Sequence, residues 1–263
     1  MTEYEKYTPG QFCWVDYSAH DMTAARKFYG SLFGWDSQIA PRHEGQPSDY
    51  GFFMREGKGV AGIGELTKEM AAMMPPVWNS YVSVKDCAAT VAKAKELGAE
   101  VVFDTQEIPE AGSLAFLKDP TGAVFALWQA GTHHGAQVCN VPGSFSWNEL
   151  ATRDIDGASK FYSALFGWTI KDIPGGPTKM AMIENQGRPN GHMMQMNEQW
   201  GDMPPAWAVY FAVEDTDAAA AKAKKLGGKV AVEPFDIDPG RIAVIADPQG
   251  GHFYIIKLAQ SPD

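Results

Sequence analysis

One stretch of this chain is written twice. Gly10-Gln-Phe12-Cys-Trp14, then Asp21, Phe28-Tyr29 and Leu32-Phe33-Gly34-Trp35, returns at one constant offset as Gly143-Ser-Phe145-Ser-Trp147, Asp154, Phe161-Tyr162 and Leu165-Phe166-Gly167-Trp168. Later landmarks recur nearly in step: Pro75-Pro76 as Pro204-Pro205, Trp78 as Trp207, Tyr81 as Tyr210, and Asp119-Pro120 as Asp247-Pro248. A period this long means two compact domains rather than a solenoid of short units. The boundaries that follow are residues 1–130 for the first domain, 131–142 for a linker with turn-forming composition, and 143–263 for the second domain.

Each copy carries the same local grammar. Ala25, Phe28, Tyr29, Leu32 and Phe33 have the spacing of one buried helical face, with Asp21 as N-cap and Gly34 as stop. A second, Ala-rich helix begins at Asp86 and ends at Gly98, mirrored from Asp215 to Gly227. Between and after the helices, β-rich runs span 12–18, 50–54, 60–66, 77–84, 115–118 and 123–128. Asp119-Pro120-Thr-Gly122 and Asp247-Pro248-Gln-Gly250 are tight turns between the last two strands of each copy. Strand, helix and several strands therefore occur four times, two such modules per domain.

Composition restricts the function classes. With 45% hydrophobic residues over 263 positions, each half has material for a core. A formal net charge of −10 without a basic stripe excludes nucleic acid as the natural partner. No run of residues is long and apolar enough to span a membrane, and Met1-Thr-Glu-Tyr-Glu-Lys has no apolar run of the signal-peptide kind, so a cytoplasmic protein is expected. Cys13, Cys87 and Cys139 are odd in number and lack zinc-like spacing. Nucleotide-binding, serine-elbow and zincin motifs are absent, so no cofactor is expected.

The strand followed by Asp, the Phe-Tyr-x-x-Leu-Phe-Gly-Trp helix end, the Pro-Pro-x-Trp entry to the fifth strand and the Asp-Pro-x-Gly hairpin resemble the vicinal oxygen chelate superfamily of glyoxalases, bleomycin-resistance proteins and extradiol dioxygenases, in particular its tandem two-domain bacterial members. The resemblance covers both domains. It implies an α+β fold of two tandem domains, each of paired βαβββ modules forming an eight-stranded cup with helices outside and a ligand site on the concave face. It leaves open which modules share a cup and whether the protein is a monomer or a homodimer.

The resemblance also implies metal-ligand positions, and these are occupied by Trp14, Asn79 and Ala126 in the first domain and Trp147, Ala208 and Tyr254 in the second. Too few oxygen, nitrogen or sulfur donors survive to hold a divalent ion, so no metal is expected. A fourth position, near Ala61 and Asn190, is too loosely aligned to assign.

Alternate residues of a strand share a face, so the face of Trp14 takes in Phe12 and Asp16, and that of Trp147 takes in Phe145 and Glu149. The same parity selects Asn79 and Tyr81 with Trp128 in the first cup, and Tyr210 with His252 and Tyr254 in the second. His192 falls opposite Ile63 of the first domain and belongs to the second cup alone. Each cup is then aromatic-lined with one carboxylate on its first strand, which suits a planar or apolar organic ligand.

Asp16, Glu149, His252 and Tyr254 are the candidate acid/base groups: a carboxylate walled by aromatics is pushed toward a usable pKa. The alternatives are carboxylates held by neighbouring tyrosines or amides, and a His252 standing at the rim. Phe12, Trp14, Asn79, Tyr81, Trp128, Phe145, Trp147, Tyr210 and His192 are the candidate ligand contacts. Two functions follow: a metal-independent isomerase, lyase or hydrolase acting on a small aromatic or carbonyl-containing metabolite, or a binding protein that sequesters such a ligand without chemistry.

Overall fold

The computed structural model describes residues 2–3, 5–40, 48–176 and 178–259; the terminal boundaries at residues 1 and 263 lie outside the described residues. The first domain runs β1 (Phe12–Ala19), α1 (Met22–Phe33), β2 (Asp36–Ile39), β3 (Tyr50–Arg55), β4 (Lys58–Glu65), β5 (Val77–Ser83), α2 (Cys87–Glu96), β6 (Glu100–Ile108), β7 (Gly112–Lys118) and β8 (Val124–Ala130). The second repeats it as β9 (Ser144–Thr152), α3 (Ile155–Phe166), β10 (Thr169–Ile173), β11 (Met180–Asn185), β12 (Arg188–Gln195), β13 (Ala206–Ala212), α4 (Thr216–Lys225), β14 (Lys229–Ile237), β15 (Gly240–Ala246) and β16 (His252–Leu258). No described helix is long and apolar enough to cross a membrane.

The strands form two eight-stranded sheets, ordered β2-β3-β4-β1-β5-β8-β7-β6 and β10-β11-β12-β9-β13-β16-β15-β14. Within each module the first and last strands pair in parallel, β1 with β4 and β5 with β8, and the modules join through the antiparallel pair β1–β5. Both modules of a cup therefore come from the same domain, which the sequence had left open. The edge strands β2 and β6 escape sequence reading because they are short or polar and largely exposed, so neither has a buried face to impose alternation.

The first helix forms as its spacing dictates. Asp21 caps it by accepting from the Ala24 amide, and Gly34 closes it in the left-handed region at φ 74°, where a side chain would be strained. Asp154 and Gly167 do the same for α3.

The apolar faces of these helices and of the two sheets meet in one shared core, clasped by reciprocal hydrogen bonds. Tyr29 donates its hydroxyl to Asp247 of the second domain at 2.8 Å while receiving the Trp78 indole N–H at 2.9 Å. Tyr162 donates to Asp119 of the first domain at 2.7 Å and receives Trp207 at 2.8 Å. Trp35 donates to the Gly143 carbonyl and Trp168 to the Gly10 carbonyl. Lys93 and Lys222 complete the exchange on the carbonyls of Leu165 and Leu32. The most recognisable repeated residues thus tie one copy to the other.

Phe12 belongs to this core and not to the first cup. Its ring lies 4.9 Å from that of Trp207 and 5.6 Å from that of Trp168. The pairing of β1 with β5 slips between Phe12 and Trp14, and that of β9 with β13 slips between Phe145 and Trp147. A bulge reverses the parity of the residues beyond it, so Phe12 and Phe145 face the shared core while Trp14 and Trp147 turn their indoles to Tyr50 and His192 of the cups.

Candidate functional site

The two cups share a plan in which an indole reaches a carboxylate through one intermediate side chain. In the first, Trp14 Nε1 donates to the Tyr50 hydroxyl at 3.1 Å, and Tyr50 donates to Asp16 Oδ2 at 3.2 Å. Tyr81 donates to the same oxygen at 2.7 Å, and Asn79 Nδ2 donates to Oδ1 at 2.8 Å. Both oxygens are therefore satisfied. Burial pushes the Asp16 carboxyl above its ordinary range, and the bonds from Asn79, Tyr81 and Tyr50 pull it partly back. Gly62 makes the arrangement possible: a Cβ there would stand 2.0 Å from the Tyr50 hydroxyl and 2.8 Å from Asp16 Cβ.

In the second cup the intermediate is an imidazole. Glu149 pairs across the strands with His192, as Asp16 does with Gly62. His192 thus corresponds to Gly62, one residue from the position that offset counting assigns it. Trp147 Nε1 donates to His192 Nδ1 at 2.8 Å, and His192 Nε2 lies 2.8 Å from Glu149 Oε2. An indole can only donate, so His192 Nδ1 is the acceptor and its proton sits on Nε2, facing Glu149. Tyr210 donates to the same Oε2 at 2.5 Å. Glu149 is 2% exposed, and its Oε1 is buried with no hydrogen-bond partner.

Tyr254 stacks on Tyr210, ring centroids 4.4 Å apart. Burial and then the nearby Glu149 charge raise its hydroxyl pKa, so the phenol stays protonated. His252 is exposed at the first position of β16, away from this group. The structure therefore brings together Glu149, His192, Trp147, Tyr210 and Tyr254, and leaves His252 at the rim. Met180 and Met182, which the sequence reading missed, share the face with Met194: Met182 pairs with His192, and Met180 with Met194. The alternation Met180-x-Met182 held the signal.

The mouths of the cups differ. The linker enters the first one, where the His133 ring lies edge-on to Trp14 at 4.6 Å and within 5.6 Å of the Trp128 and Phe52 rings. The Trp128 indole donates to the His133 carbonyl. Ala136 and Gln137 bond to the backbones of Cys13 and Gly59, and Tyr7 straps the linker from outside through the Ala136 carbonyl. Trp14 is consequently 2% exposed where its counterpart Trp147 is half-buried, while Tyr81 and Tyr210 are buried alike at 3% each. In the second cup Trp147, His192, Tyr254 and the three methionines are all half-buried.

These residues do not fit a divalent metal. Asn79 has only its neutral amide oxygen to offer, since its nitrogen donates to Asp16 and Ser18, and His192 has both ring nitrogens engaged. Among the described residues no three His, Cys, Asp or Glu side chains converge.

Comparison with known proteins agrees with this architecture. Residues 144–253 match the model of the Glyoxalase/Bleomycin resistance protein/Dioxygenase superfamily, and residues 13–128 match that of a glyoxalase-like domain. The chain is 40% identical over 263 residues to the "Putative glyoxylase CFP32" of Mycobacterium tuberculosis, covering 98% of this chain and 97% of that one. It is 31% identical to the anthracycline biosynthesis protein DauV of Streptomyces sp. (strain C5), covering 97% and 96%. The Mn(II)-bound glyoxalase from Novosphingobium aromaticivorans superposes with a TM-score of 0.65 at 16% identity, over 97% of this chain and 84% of that one, a likeness of fold.

Proposed function

Since the chain belongs to the glyoxalase/bleomycin resistance/dioxygenase superfamily, we propose that its second cup alone is the working site, binding a planar aromatic or carbonyl-containing metabolite and acting on it by metal-independent acid/base chemistry. The observation that carries this is the asymmetry of the mouths: the His133 ring packs on Trp14 at the first, whereas Trp147, the counterpart of Trp14, is half-buried beside His192, Tyr254 and three methionines at the second. Aromatic rings offer stacking area, and methionines adapt to the outline of a ligand. The 31% identity to a protein named for anthracycline biosynthesis favours a fused-ring ligand.

In this reading Glu149 accepts a proton from the bound ligand and returns it elsewhere on the same molecule, an isomerisation that needs no co-reactant. His192 and Tyr210 hold Oε2 and stabilise its charge, and Tyr254 offers a hydroxyl donor to a ligand carbonyl. The protein acts in the cytoplasm as a monomer or homodimer.

The test is equilibrium binding of a hydroxyanthraquinone, followed by its visible absorbance, to the parent, Tyr254→Ala and Tyr81→Phe proteins. Tyr254→Ala is expected to weaken binding at least tenfold and Tyr81→Phe to leave it unchanged. The reverse pattern would move the site to the first cup, and no binding by the parent would end the proposal. Binding that survives Glu149→Gln in the absence of any turnover of the ligand by the parent would identify a sequestering protein instead.

A further inference from the structure

Glu149 and Asp16 occupy equivalent places, yet their hydrogen bonding is unequal. Asp16 has donors on both oxygens, from Asn79 on one and Tyr50 and Tyr81 on the other. Glu149 has two donors on Oε2 and none on Oε1. The donor missing from the second cup is the one Asn79 supplies in the first, because Ala208 stands in its place: Asp16 pairs across the strands with Asn79, and Glu149 with Ala208. A buried carboxylate oxygen without a donor is destabilising, and among the described residues few other buried side-chain polar atoms lack a partner.

We infer that the ligand of the second cup supplies this donor: it is a phenol, stacked against the aromatic face, whose hydroxyl displaces the side chains that screen Glu149 Oε1 from solvent and bonds to that oxygen. The inference rests on the reading of the second cup as the ligand site and names the class of ligand. A single acceptor is unsatisfied, so a single donor suits it. A primary ammonium would bring three N–H groups into a place with one free acceptor and leave the others buried and unpaired. The ligand hydroxyl stays neutral when bound, because burial and then the carboxylate that accepts from it oppose a second negative charge, as they do at Tyr254 and Tyr210. Replacing Asn79 by Ala208 thus turns a structural carboxylate into a selective one.

The experiment compares 2-naphthol with 2-methoxynaphthalene, rings of the same kind that differ in the donor, by isothermal titration calorimetry at pH 7. The parent protein is expected to prefer the naphthol at least tenfold. Glu149→Gln is expected to bring the two within about twofold, because its amide must keep the oxygen toward His192 and Tyr210 and present N–H groups to the ligand. Ala208→Asn, which restores the donor of the first cup, is expected to erase the preference while keeping the carboxylate, and thermal melting verifies that each variant is folded. Equal affinity of the parent for both compounds overturns the inference and leaves the aromatic cup standing, whereas failure to bind either overturns the cup itself. A naphtholate absorbance band in the complex also overturns it, since the ligand would then have entered as an anion.

Discussion

The linker histidine gives a quantitative handle on the closed cup. Burial among Trp14, Phe52 and Trp128, and secondarily the neighbouring His134, lowers the His133 pKa from 6.5 to about 4. Its Nε2 is buried without a partner, so the ring is held as the neutral form. Between these pKa values the unfolded chain binds a proton that the folded one refuses, and folding stability falls as the pH falls. The full loss is about 3 kcal/mol at low pH, and about 2 kcal/mol is already gone at pH 5. Asp16 acts in the opposite sense: its raised pKa lets the folded state take up a proton first, so acid relieves the cost of burying its charge.

His133→Phe separates the two, since a phenyl ring fits an apolar, aromatic-walled position and carries no proton. Urea unfolding of parent and variant at pH 7.5 and pH 5, followed by tryptophan fluorescence, should show the parent losing about 2 kcal/mol more than the variant between the two conditions. The contributions of Asp16 and the other carboxylates are common to both proteins and cancel in the difference. Equal losses would mean that His133 is not buried in the cup in solution, and the asymmetry between the two mouths would lose its foundation.

Two further outcomes follow from the geometry. Tyr29→Phe and Tyr162→Phe each leave a buried aspartate of the opposite domain short of one donor and should cost about 1–3 kcal/mol by urea unfolding; no change in either would remove the clasp from the account of how the domains hold together. Incubation with nickel, zinc, manganese or ferrous iron, then desalting and elemental mass spectrometry, should leave far less than one metal per chain, and a stoichiometric, chelator-resistant ion would contradict the vacated ligand positions at Trp14, Asn79 and Ala126.

The fold was legible because its signals are local and doubled. Asp21 and Gly34 cap a helix whose copy has the same caps, and the hairpin aspartates bond the turns they begin. The site was legible only in part, because parity along a strand is a local rule that fails at a bulge. Two bulges carried Phe12 and Phe145 to the opposite face, and nothing in their sequence announces the slip. His192 was misplaced by one residue because the offset between the copies drifts where Gly62 and its neighbours lie. His133 was invisible for a different reason: a linker without periodicity gives no hint that one of its side chains is buried in a domain it has already left.

Duplication explains why the strongest sequence signal is not the chemical one. Tyr29 reaches Asp247 and Tyr162 reaches Asp119, so each copy keeps a residue whose partner lies in the other. Loss of either tyrosine strands a buried carboxylate across the interface, and both copies are held to the same docking sequence. The cups carry no such mutual constraint, because each is built entirely from the modules of one domain. One copy could exchange the histidine position for Gly62, admit Tyr50, saturate Asp16 and accept the linker as a plug, while the other kept His192 and left Glu149 with an oxygen to offer. The recurring Tyr29/Tyr162, Trp78/Trp207 and Trp35/Trp168 thus serve docking, the recurring Trp14/Trp147 and Tyr81/Tyr210 build the common plan of the cups, and what distinguishes one cup from the other lies where the halves disagree: Asn79 against Ala208, Gly62 against His192, and Ala126 against Tyr254.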